Sequence, residues 1–530
     1  MGFLKLSGPV AVYFFLAACV NRTKNEKPPE ENLVQHQSGI EQKIYLDSSL
    51  LSVSTIITGL KVPWEITWGP DNWIWTTEQE GMVSRVNPET GEKKVLLKIQ
   101  DIYKERTLGL LGMALNRDFK KSPFVFLDYT FLKDSNRYSR IVRYRYSLDT
   151  LTDPLIILDN IPGSTGHNGS RLVVSPDGKL MISTGDAQNA ANAQRKNSIS
   201  GKILRLNPDG SIPADNPYPR SPVWSMGHRN IQGLVYGASG ILYSSEHGDA
   251  TDDEINIIEK GRNYGWPDVT GFCTFPEEKA YCNLHQITEP IRAWTPTIAP
   301  AGIDYYQSAA IAEWKNSLLL TTLKNSSLYV LKLNVSGKAI VSEKIFLNHV
   351  YGRLRDICIS PAGDIYISTS NRDWNPGEGF PKAMDDRIIR ISKIKNAVPG
   401  SKTPSEDSLK RPVALSKGQS LYQNYCASCH KENGEGVKGN FPSLRENRVV
   451  SGNKKRLILM VLRGLSGPLK VNDETYNQQM PSFSFLTDED LAAVLSYIRS
   501  AFNNRADPVS SRESATVRKQ SAHTTTGKKS

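Results

Sequence analysis

Two cysteines and a histidine stand close together late in the chain, in the pentapeptide CASCH at 426–430. Two thiols three residues apart can add across both vinyl groups of a haem while the adjoining imidazole reaches the iron. A zinc site would need two more ligands nearby, and a thioredoxin-like pair would not require the histidine. We therefore predict covalent haem attachment through Cys426 and Cys429, with His430 as an axial ligand.

A second axial ligand must come from further along the chain. The only later histidine, His523, lies in a polar tail, so two methionines remain. Met460 lies in the apolar run RLILMVLRGL, where a methionine usually fills core, whereas Met480 lies in the loop sequence NQQMPSF. We predict Met480. Helices are expected at KGQSLYQNY and TDEDLAAVLSYIRSAF, and the stretch 412–503 resembles a small all-α class I cytochrome c, whose His/Met ligation suits electron transfer.

The N-terminus has the features of an export signal. Lys5 precedes the run PVAVYFFLAAC, which is too short and too near the start to span a bilayer as a mature helix. The run ends in LAAC, which resembles a bacterial lipobox and predicts lipidation of Cys19; the alternative is an ordinary signal peptide cut beyond Ala18. We expect 1–19 to be a lipoprotein signal peptide, 20–49 a flexible tether, and the protein to be lipid-anchored on the periplasmic side of the cell envelope.

The net charge of +11 is concentrated in two segments. Residues 391–420 and 501–530 each contain six Lys or Arg against two Asp or Glu. The remaining chain is therefore close to neutral, which argues against a nucleic-acid partner. Within these segments we predict a linker at 396–411 and a disordered basic tail at 504–530.

Three further cysteines lie in the central part of the chain. Cys273 and Cys282 flank a polar loop, FCTFPEEKAYC, and in an oxidising compartment this pair is expected to form a disulfide. Cys358, in the strand-like segment LRDICIS, is predicted to be a buried free thiol.

Between residues 50 and 395 one pattern recurs: an apolar strand, a turn of the PDG type, a second apolar strand and a polar stretch. The six units are WEITWGPDNWIWTTE, LLGMALNRDFKKSPFVFLDYT, RLVVSPDGKLMISTG, GLVYGASGILYSSE, AEWKNSLLLTTLKNSSLYVLKL and DICISPAGDIYISTS. Strands of period two joined by Gly, Asn or Asp turns, with no helical stretch among them, predict an all-β six-bladed propeller. A seven-bladed ring and a pair of β-sandwiches are the alternatives.

Several long motifs in this region resemble one enzyme family in sequence and in order. They are GHNGSRLVVSPDGKLMISTGD, GKILRLNPDGSIPADNP, MGHRNIQGL, EHGDATDDEINIIEKGRNYGWP and GRLRDICISPAGD. Across about residues 55–395 the chain is similar to soluble glucose and aldose sugar dehydrogenases that use pyrroloquinoline quinone (PQQ). The resemblance implies PQQ and Ca²⁺ as cofactors and oxidation of aldoses to lactones.

The resemblance also assigns residues to the cofactor. PQQ carries three carboxylates, and the matching cations here are Lys324, Arg353 and Arg355. The two arginines are two residues apart, so on a strand both side chains lie on one face. Calcium in this family is bound by main-chain carbonyls, which correspond to Gly248 and Asp249.

The catalytic residues follow from the same motifs. His167 corresponds to the base that removes the hydroxyl proton as hydride leaves carbon, and Asp186 to the carboxylate that orients it. Arg229 and Asn230 correspond to residues at the quinone oxygens, where Arg229 stabilises the charge of the reduced cofactor.

Two positions depart from the glucose-oxidising members. Those members have Asp before the base and Gln before the GLLG turn, whereas this chain has Gly166 and Thr107. Both positions are expected to touch substrate or cofactor, so the resemblance does not single out glucose. The run WTPTIAPAG, which begins at Trp294, is closer to the aldose sugar dehydrogenase branch, which accepts many sugars.

The two halves together predict a quinohaemoprotein dehydrogenase that passes electrons from an aldose to a haem c in the same chain. A downstream electron acceptor is then required. A lactonase-type propeller and a non-catalytic binding propeller are the alternatives, and neither requires a fused haem or the three cations.

Overall fold

The computed structural model describes residues 39–274, 276–377, 379–394, 416–465, 467–471, 474–478 and 480–523. The predicted signal peptide, with Cys19, and the predicted linker at 396–411 lie outside these ranges. No helix within them combines the length and the apolarity that crossing a bilayer requires.

Two N-terminal strands, β1 (Gln42–Tyr45) and β2 (Leu50–Ile57), form an antiparallel hairpin. Five sheets follow, each made of four consecutive strands that pair in chain order. Their strands are β3 (Pro63–Trp68), β4 (Ile74–Glu78), β5 (Met82–Val86) and β6 (Lys93–Lys98); β7 (Leu110–Leu115), β8 (Phe124–Lys133), β9 (Asn136–Ser147) and β10 (Thr150–Pro162); β11 (Gly169–Val174), β12 (Leu180–Thr184), β13 (Lys202–Leu206) and β14 (Val223–Met226); β15 (Ile231–Tyr236), β16 (Leu242–Glu246), β17 (Asp253–Ile258) and β18 (Arg292–Trp294); and β19 (Pro300–Tyr306), β20 (Ser317–Thr322), β21 (Leu328–Leu333) and β22 (Ile340–Phe346). Each sheet is one propeller blade.

The sixth blade combines the two ends of the propeller region. It contains β23 (Leu354–Ile359), β24 (Ile365–Thr369) and β25 (Ile388–Lys393), and β2 pairs with β25 to add the N-terminal hairpin. This pairing satisfies the backbone groups of β25 that would otherwise form an open sheet edge. The predicted six-bladed propeller is confirmed, with each of the six sequence repeats in a different blade.

Buried apolar side chains close the ring. Six hydrophobic clusters each draw side chains from two neighbouring blades, one cluster at every junction. The first strands of blades one to six also contact one another around the centre. The loops that lead into these strands are therefore brought together at the axis.

Two predictions about this region need correction. The predicted tether 20–49 includes β1, because Ile44 is buried and the strand pairs with β2, so the propeller begins before residue 50. The predicted absence of helices is also wrong, since α1 (Pro276–His285) lies within blade four. Cys282 lies within this helix and is joined by a disulfide to Cys273, which precedes the helix. Cys358 is a buried free thiol.

A small helical domain follows the propeller. Its elements are α2 (Lys417–Tyr425), α3 (Ala427–His430), α4 (Arg448–Ser451), α5 (Lys454–Arg463), the hairpin β26 (Leu469–Val471) and β27 (Glu474–Tyr476), α6 (Asp488–Ser500) and α7 (Ser511–His523). The hydroxyls of Ser416 and Thr487 accept hydrogen bonds from the first turns of α2 and α6, as N-caps do. The domain is thus mainly helical, as predicted, with one short β-hairpin.

The tail predicted as disordered, 504–530, contains α7. Val517 is 6% exposed and joins the buried cluster of the helical domain. The Arg518 guanidinium donates to Asp488 Oδ1 at 2.8 Å and to the carbonyls of Ser484 and Leu486, both at 2.6 Å. Composition alone missed this helix because its stability comes from packing against α5 and α6 rather than from its own apolar content.

The Arg518 contacts generate a stability prediction. Arg518→Ala removes three hydrogen bonds, and we expect the free energy of unfolding of the helical domain to fall by about 1–3 kcal/mol. Denaturant titration followed by haem absorption measures it. Arg512→Ala, on the same helix with an exposed side chain, is the matched control. Equal stability of the two variants would contradict the docking of α7.

Candidate functional site

The predicted catalytic and cofactor residues lie at the ring centre, on loops and strand ends from different blades. One cavity of about 290 Å³ is lined by several of them. They are Thr107, Gly166, His167, Arg229, Asn230, Asp249, Arg353 and Arg355. A second cavity of about 880 Å³ shares Asp249 and Arg353 with the first and also contains Gly248 and Lys324. The structure thus brings the predicted set together.

His167 lies in the loop between β10 and β11 and is held by a carboxylate. Its Nδ1 is 2.9 Å from Asp186 Oδ1, and the other oxygen of Asp186 accepts a hydrogen bond from Trp266 Nε1 at 2.9 Å. Nδ1 therefore carries the proton, and Nε2 is the nitrogen available to a ligand in the cavity.

The backbone of this loop is tightly constrained. His167 has a φ of 56°, a left-handed conformation that is unusual for a residue with a side chain. Its carbonyl would lie 1.9 Å from a Cβ added at Gly185, so only glycine fits there. Local strain of this kind persists where the surrounding structure fixes a functional side chain.

The surroundings of His167 keep its imidazole neutral. Burial lowers the pKa of His167, and the nearby positive charge of Arg229 lowers it further, against the opposing effect of Asp186. Burial raises the pKa of Asp186, but the hydrogen bonds from His167 and Trp266 and the positive charge of Arg229 oppose it, and the net pKa is lowered. A neutral imidazole beside an ionised carboxylate is the arrangement of a general base.

Arg229 lies close to the base and to the second cavity. Its Nη2 donates to Asp249 Oδ1 at 2.9 Å, and its guanidinium lies 5.3 Å from the centre of the Trp266 ring. Its Nε is buried and has no hydrogen-bond partner in the described structure. Asn230 Oδ1 accepts from the backbone N–H of Gly169 at 3.2 Å. Arg229 therefore retains a donor that a bound group could satisfy.

Arg353, immediately before β23, and Arg355, within β23, share one carboxylate that the sequence did not single out. Asp373 Oδ2 accepts from Arg353 Nη2 at 2.8 Å and from Arg355 Nη2 at 3.3 Å. Burial lowers the pKa of Arg355 to about 10, and its Nε is buried without a partner in the described structure. Two guanidinium groups against one carboxylate leave a positive charge in a desolvated site, which suits an anionic ligand.

Lys324, in the turn between β20 and β21, is the third predicted cation. Its Nζ donates to Thr297 Oγ1 at 2.9 Å and to the carbonyl of Asn424, in α2 of the helical domain, at 2.7 Å. Burial lowers the pKa of Lys324, and the charge of Asp253 opposes this shift. An ammonium has three donors, so one remains for a carboxylate of a bound cofactor.

The predicted calcium residues line the second cavity. Asp253 fixes their loop, because its Oδ1 accepts from the Gly248 backbone N–H at 2.8 Å and its Oδ2 from that of Ala299 at 2.6 Å. Among the described residues there is no cluster of three or more His, Cys, Asp or Glu that could hold a metal. A site built from main-chain carbonyls would not form such a cluster, and calcium binding at Gly248 and Asp249 stays a prediction.

Sequence reasoning also missed a buried network behind Arg229. His228 is fully buried, and its ring nitrogens lie 2.9 Å from Ser225 Oγ and 3.0 Å from Glu246 Oε2. The other oxygen of Glu246 accepts a hydrogen bond from the backbone N–H of Arg229. The network positions the backbone of Arg229, a role that only a three-dimensional contact reveals.

The helical domain contains the predicted haem residues. An apolar cavity is lined by Cys426, His430, Met460 and Met480, with aliphatic and aromatic side chains around them. His430 Nδ1 lies 2.9 Å from the carbonyl of Pro442, which orients the ring and leaves Nε2 for iron. A deep apolar cavity with thiol, imidazole and thioether groups fits a haem c.

Comparison with known proteins matches both regions. The Glucose / Sorbosone dehydrogenase family model matches residues 60–375, and the Cytochrome c family model matches residues 415–502. The chain belongs to the glucose/sorbosone dehydrogenase family. It is 32% identical to quinoprotein glucose dehydrogenase B of Acinetobacter calcoaceticus over 59% of this chain and 84% of the relative, and 30% identical to aldose sugar dehydrogenase YliI of Escherichia coli over 64% and 94%.

Solved structures and a separate cytochrome extend the match. The PQQ-bound aldose sugar dehydrogenase of Streptomyces coelicolor has a TM-score of 0.57 and 32% identity, and covers 66% of this chain and 100% of its own. Cytochrome c-552 of Thermus thermophilus is 40% identical over 17% of this chain and 64% of its own length. A sugar dehydrogenase-type propeller and a cytochrome c domain, which accounts for a haem c, therefore form one chain.

Within this family, the two departures noted in the sequence both fall in the cavity. Thr107 Oγ1 donates to the carbonyl of Thr165 at 3.0 Å and accepts from Asn168 Nδ2 at 3.1 Å, so it fixes the loop that contains His167. Gly166 lines the cavity beside the base. Neither residue offers a charged group to a molecule bound in the cavity.

The two methionines of the haem cavity can be distinguished by mutation. Met480→Ala should abolish the Met-to-ferric-iron charge-transfer band and lower the reduction potential, because a Met/His pair raises it. Met460→Leu is the matched control and should preserve the band. A band lost in Met460→Leu and kept in Met480→Ala would reverse the assignment.

Proposed function

We propose that this protein is a quinohaemoprotein that oxidises aldoses to lactones with PQQ and Ca²⁺ and transfers the electrons to its own haem c. The observation that carries the proposal is the neutral His167 imidazole, fixed by Asp186, in one cavity with cations that have unpartnered buried donors. Neither a lactonase nor a binding propeller requires that combination.

Each residue has a definite part in this reaction. PQQ, when bound, supplies an electrophilic quinone that accepts the hydride of the sugar. Lys324, Arg353 and Arg355 would hold its carboxylates, and the carbonyls of Gly248 and Asp249 would hold Ca²⁺. His167 Nε2 takes the proton of the sugar hydroxyl.

The remaining residues orient the base and stabilise negative charge. Asp186 keeps His167 in the tautomer that exposes Nε2 to the cavity, and Arg229 together with Asn230 contributes donors where negative charge develops. The sugar loses two electrons and two protons, and ferric haem accepts one electron at a time. A downstream one-electron acceptor outside the chain must reoxidise the haem.

The proposal includes a location. The LAAC sequence before residue 20 supports lipidation at Cys19, and a disulfide and a c-type haem both suit an oxidising compartment outside the cytoplasm. We therefore propose an acyl-anchored protein on the periplasmic side of the cell envelope.

Reconstitution tests the function directly. The full chain, loaded with PQQ and Ca²⁺, is mixed with a panel of aldoses, and haem absorption and reduction of a soluble dye are followed in parallel. We expect both acceptors to be reduced with at least one aldose, and omission of Ca²⁺ to abolish both signals. If neither acceptor is reduced by any aldose, the proposed activity is wrong.

Substitution of the base separates chemistry from binding. His167→Gln should lower kcat by at least about a hundredfold while PQQ affinity stays near that of the unchanged protein, because the imidazole acts on the sugar proton. In the unchanged protein, turnover should fall only as pH drops through the lowered pKa of His167, below 6.5. His285→Gln, at an exposed position on α1, is the control. Loss of PQQ from His167→Gln would instead assign the imidazole a structural role.

A further inference from the structure

The cavity that contains His167 has walls from both domains. Four residues of the cytochrome domain line it together with the propeller residues; we call Cys429, Phe441, Gln478 and Pro481 the haem-domain wall. The two predicted haem-attachment cysteines differ in this respect. Cys426 lines the haem cavity, whereas Cys429 lines both propeller cavities. A haem bound through both cysteines therefore has its Cys429 side towards the proposed sugar site.

A propeller segment after β24 holds the haem-attachment sequence itself. Asn375 Nδ2 donates to the carbonyl of Ser428, inside CASCH, at 2.9 Å, and its Oδ1 accepts from Lys431 Nζ at 3.0 Å. Lys431 also donates to the carbonyl of Pro376. Together with the hydrogen bond from Lys324 to the Asn424 carbonyl, these contacts hold residues 424–431 from two sides of the cavity.

Aromatic contacts continue this interface between the two domains, which we call the seam, along the cavity. The Trp374 ring lies 5.4 Å from the ring of Phe441, which belongs to the haem-domain wall. The Arg106 guanidinium lies 4.2 Å from the centre of the Trp374 ring. Arg106 also lines the cavity, and two of its nitrogens are buried without partners in the described structure. The seam thus includes residues that also line the proposed sugar site.

The contact between the domains is small. Within the described residues, hydrogen bonds join Lys324 to Asn424, Asn375 to Ser428 and Lys431, and Pro376 to Lys431. Ala250 is the one described propeller residue that packs against the buried cluster of the cytochrome domain. Domains joined by small polar interfaces separate readily. A connection as long as residues 395–415 can span several tens of Å when extended.

We propose that the cytochrome domain is a reversible cover of the sugar site, held by Asn375 and the Trp374–Phe441 contact. Docked, it places the Cys429 side of the haem next to the cofactor; undocked, it admits the sugar. This rests on the proposed function. Each oxidised sugar yields two electrons, which leave in two single transfers to ferric haem, and an external one-electron acceptor reoxidises the haem between them. His167 takes the hydroxyl proton and passes it to solvent; the second proton, which leaves the sugar within the hydride, would be released as the two electrons pass to haem.

A bulky side chain at the seam tests the proposal. Ser428→Arg keeps both cysteines and His430 but enlarges a side chain that lines the second cavity, at the residue whose carbonyl accepts the Asn375 hydrogen bond. In the full chain loaded with PQQ and Ca²⁺, we expect sugar-driven haem reduction to fall at least about tenfold, the effect of losing one or two hydrogen bonds. Turnover with a small soluble dye should be unchanged or faster, because the cover is displaced.

Two controls and a structural readout accompany this test. Ser500→Arg, whose hydroxyl bonds only within α6, should match the unchanged protein in every assay. Hydrogen exchange at the backbone amides of Trp374 and Asn375 should rise in Ser428→Arg, with or without PQQ. If Ser428→Arg does not incorporate haem, Asn375→Ala, which removes the hydrogen bonds of Asn375 with Ser428 and Lys431, takes its place.

The outcomes are separable. If Ser428→Arg reduces its haem as fast as the unchanged protein, or shows unaltered hydrogen exchange at residues 374 and 375, the proposed covering role is wrong. A parallel fall in dye-linked turnover overturns it as well, because the cytochrome domain would then build the sugar site rather than cover it. Absence of dye-linked oxidation in the unchanged protein, in contrast, refutes the proposed function itself.

Discussion

One buried arginine connects the innermost strands of four blades. Arg171 of β11 contacts Glu65 of β3 at 2.6 Å and Asp356 of β23 at 2.8 Å, and its Nε donates to the carbonyl of Gln232 in β15 at 2.6 Å. Burial raises the pKa of Glu65, and the charge of Arg171 opposes it. Removing one partner of such a buried group leaves an uncompensated charge and costs about 3–5 kcal/mol. The ring is therefore fixed in register at its centre, where the site lies.

That fixed centre explains how cations can be held in the cavity before any ligand binds. Arg353 and Arg355 share Asp373 and are kept from the solvent by the surrounding strands. A flexible loop would let these guanidinium groups turn to water, whereas β23 cannot move without breaking the contacts of Asp356 with Arg171 and with the backbone of Ile66. The unpartnered donors of the site are thus positioned before any ligand binds, an arrangement that suits an anionic ligand.

The sequence predicted well what depends on local pattern or on a long motif. The six hairpin repeats, CASCH and the pair His167 and Asp186 all belong to this class. It did not predict Asp373, Asn375 or the docking of α7, because each depends on contacts between segments that no periodicity links. The strand β1 was missed for the same reason: its partner strand β2 is completed by β25, more than 300 residues later.

The two domains meet on side chains that also belong to the proposed cofactor site. The Lys324 ammonium donates hydrogen bonds to Thr297 of the propeller and to the Asn424 carbonyl of the cytochrome domain. The same group therefore lines the cavity and joins the two domains. Two separate proteins would need a large interface to form this contact at low concentration. Linkage in one chain raises the effective concentration to the millimolar range, so a few hydrogen bonds are enough. Under the proposed covering role, a weak seam is an advantage, since the same surface would separate for each new substrate.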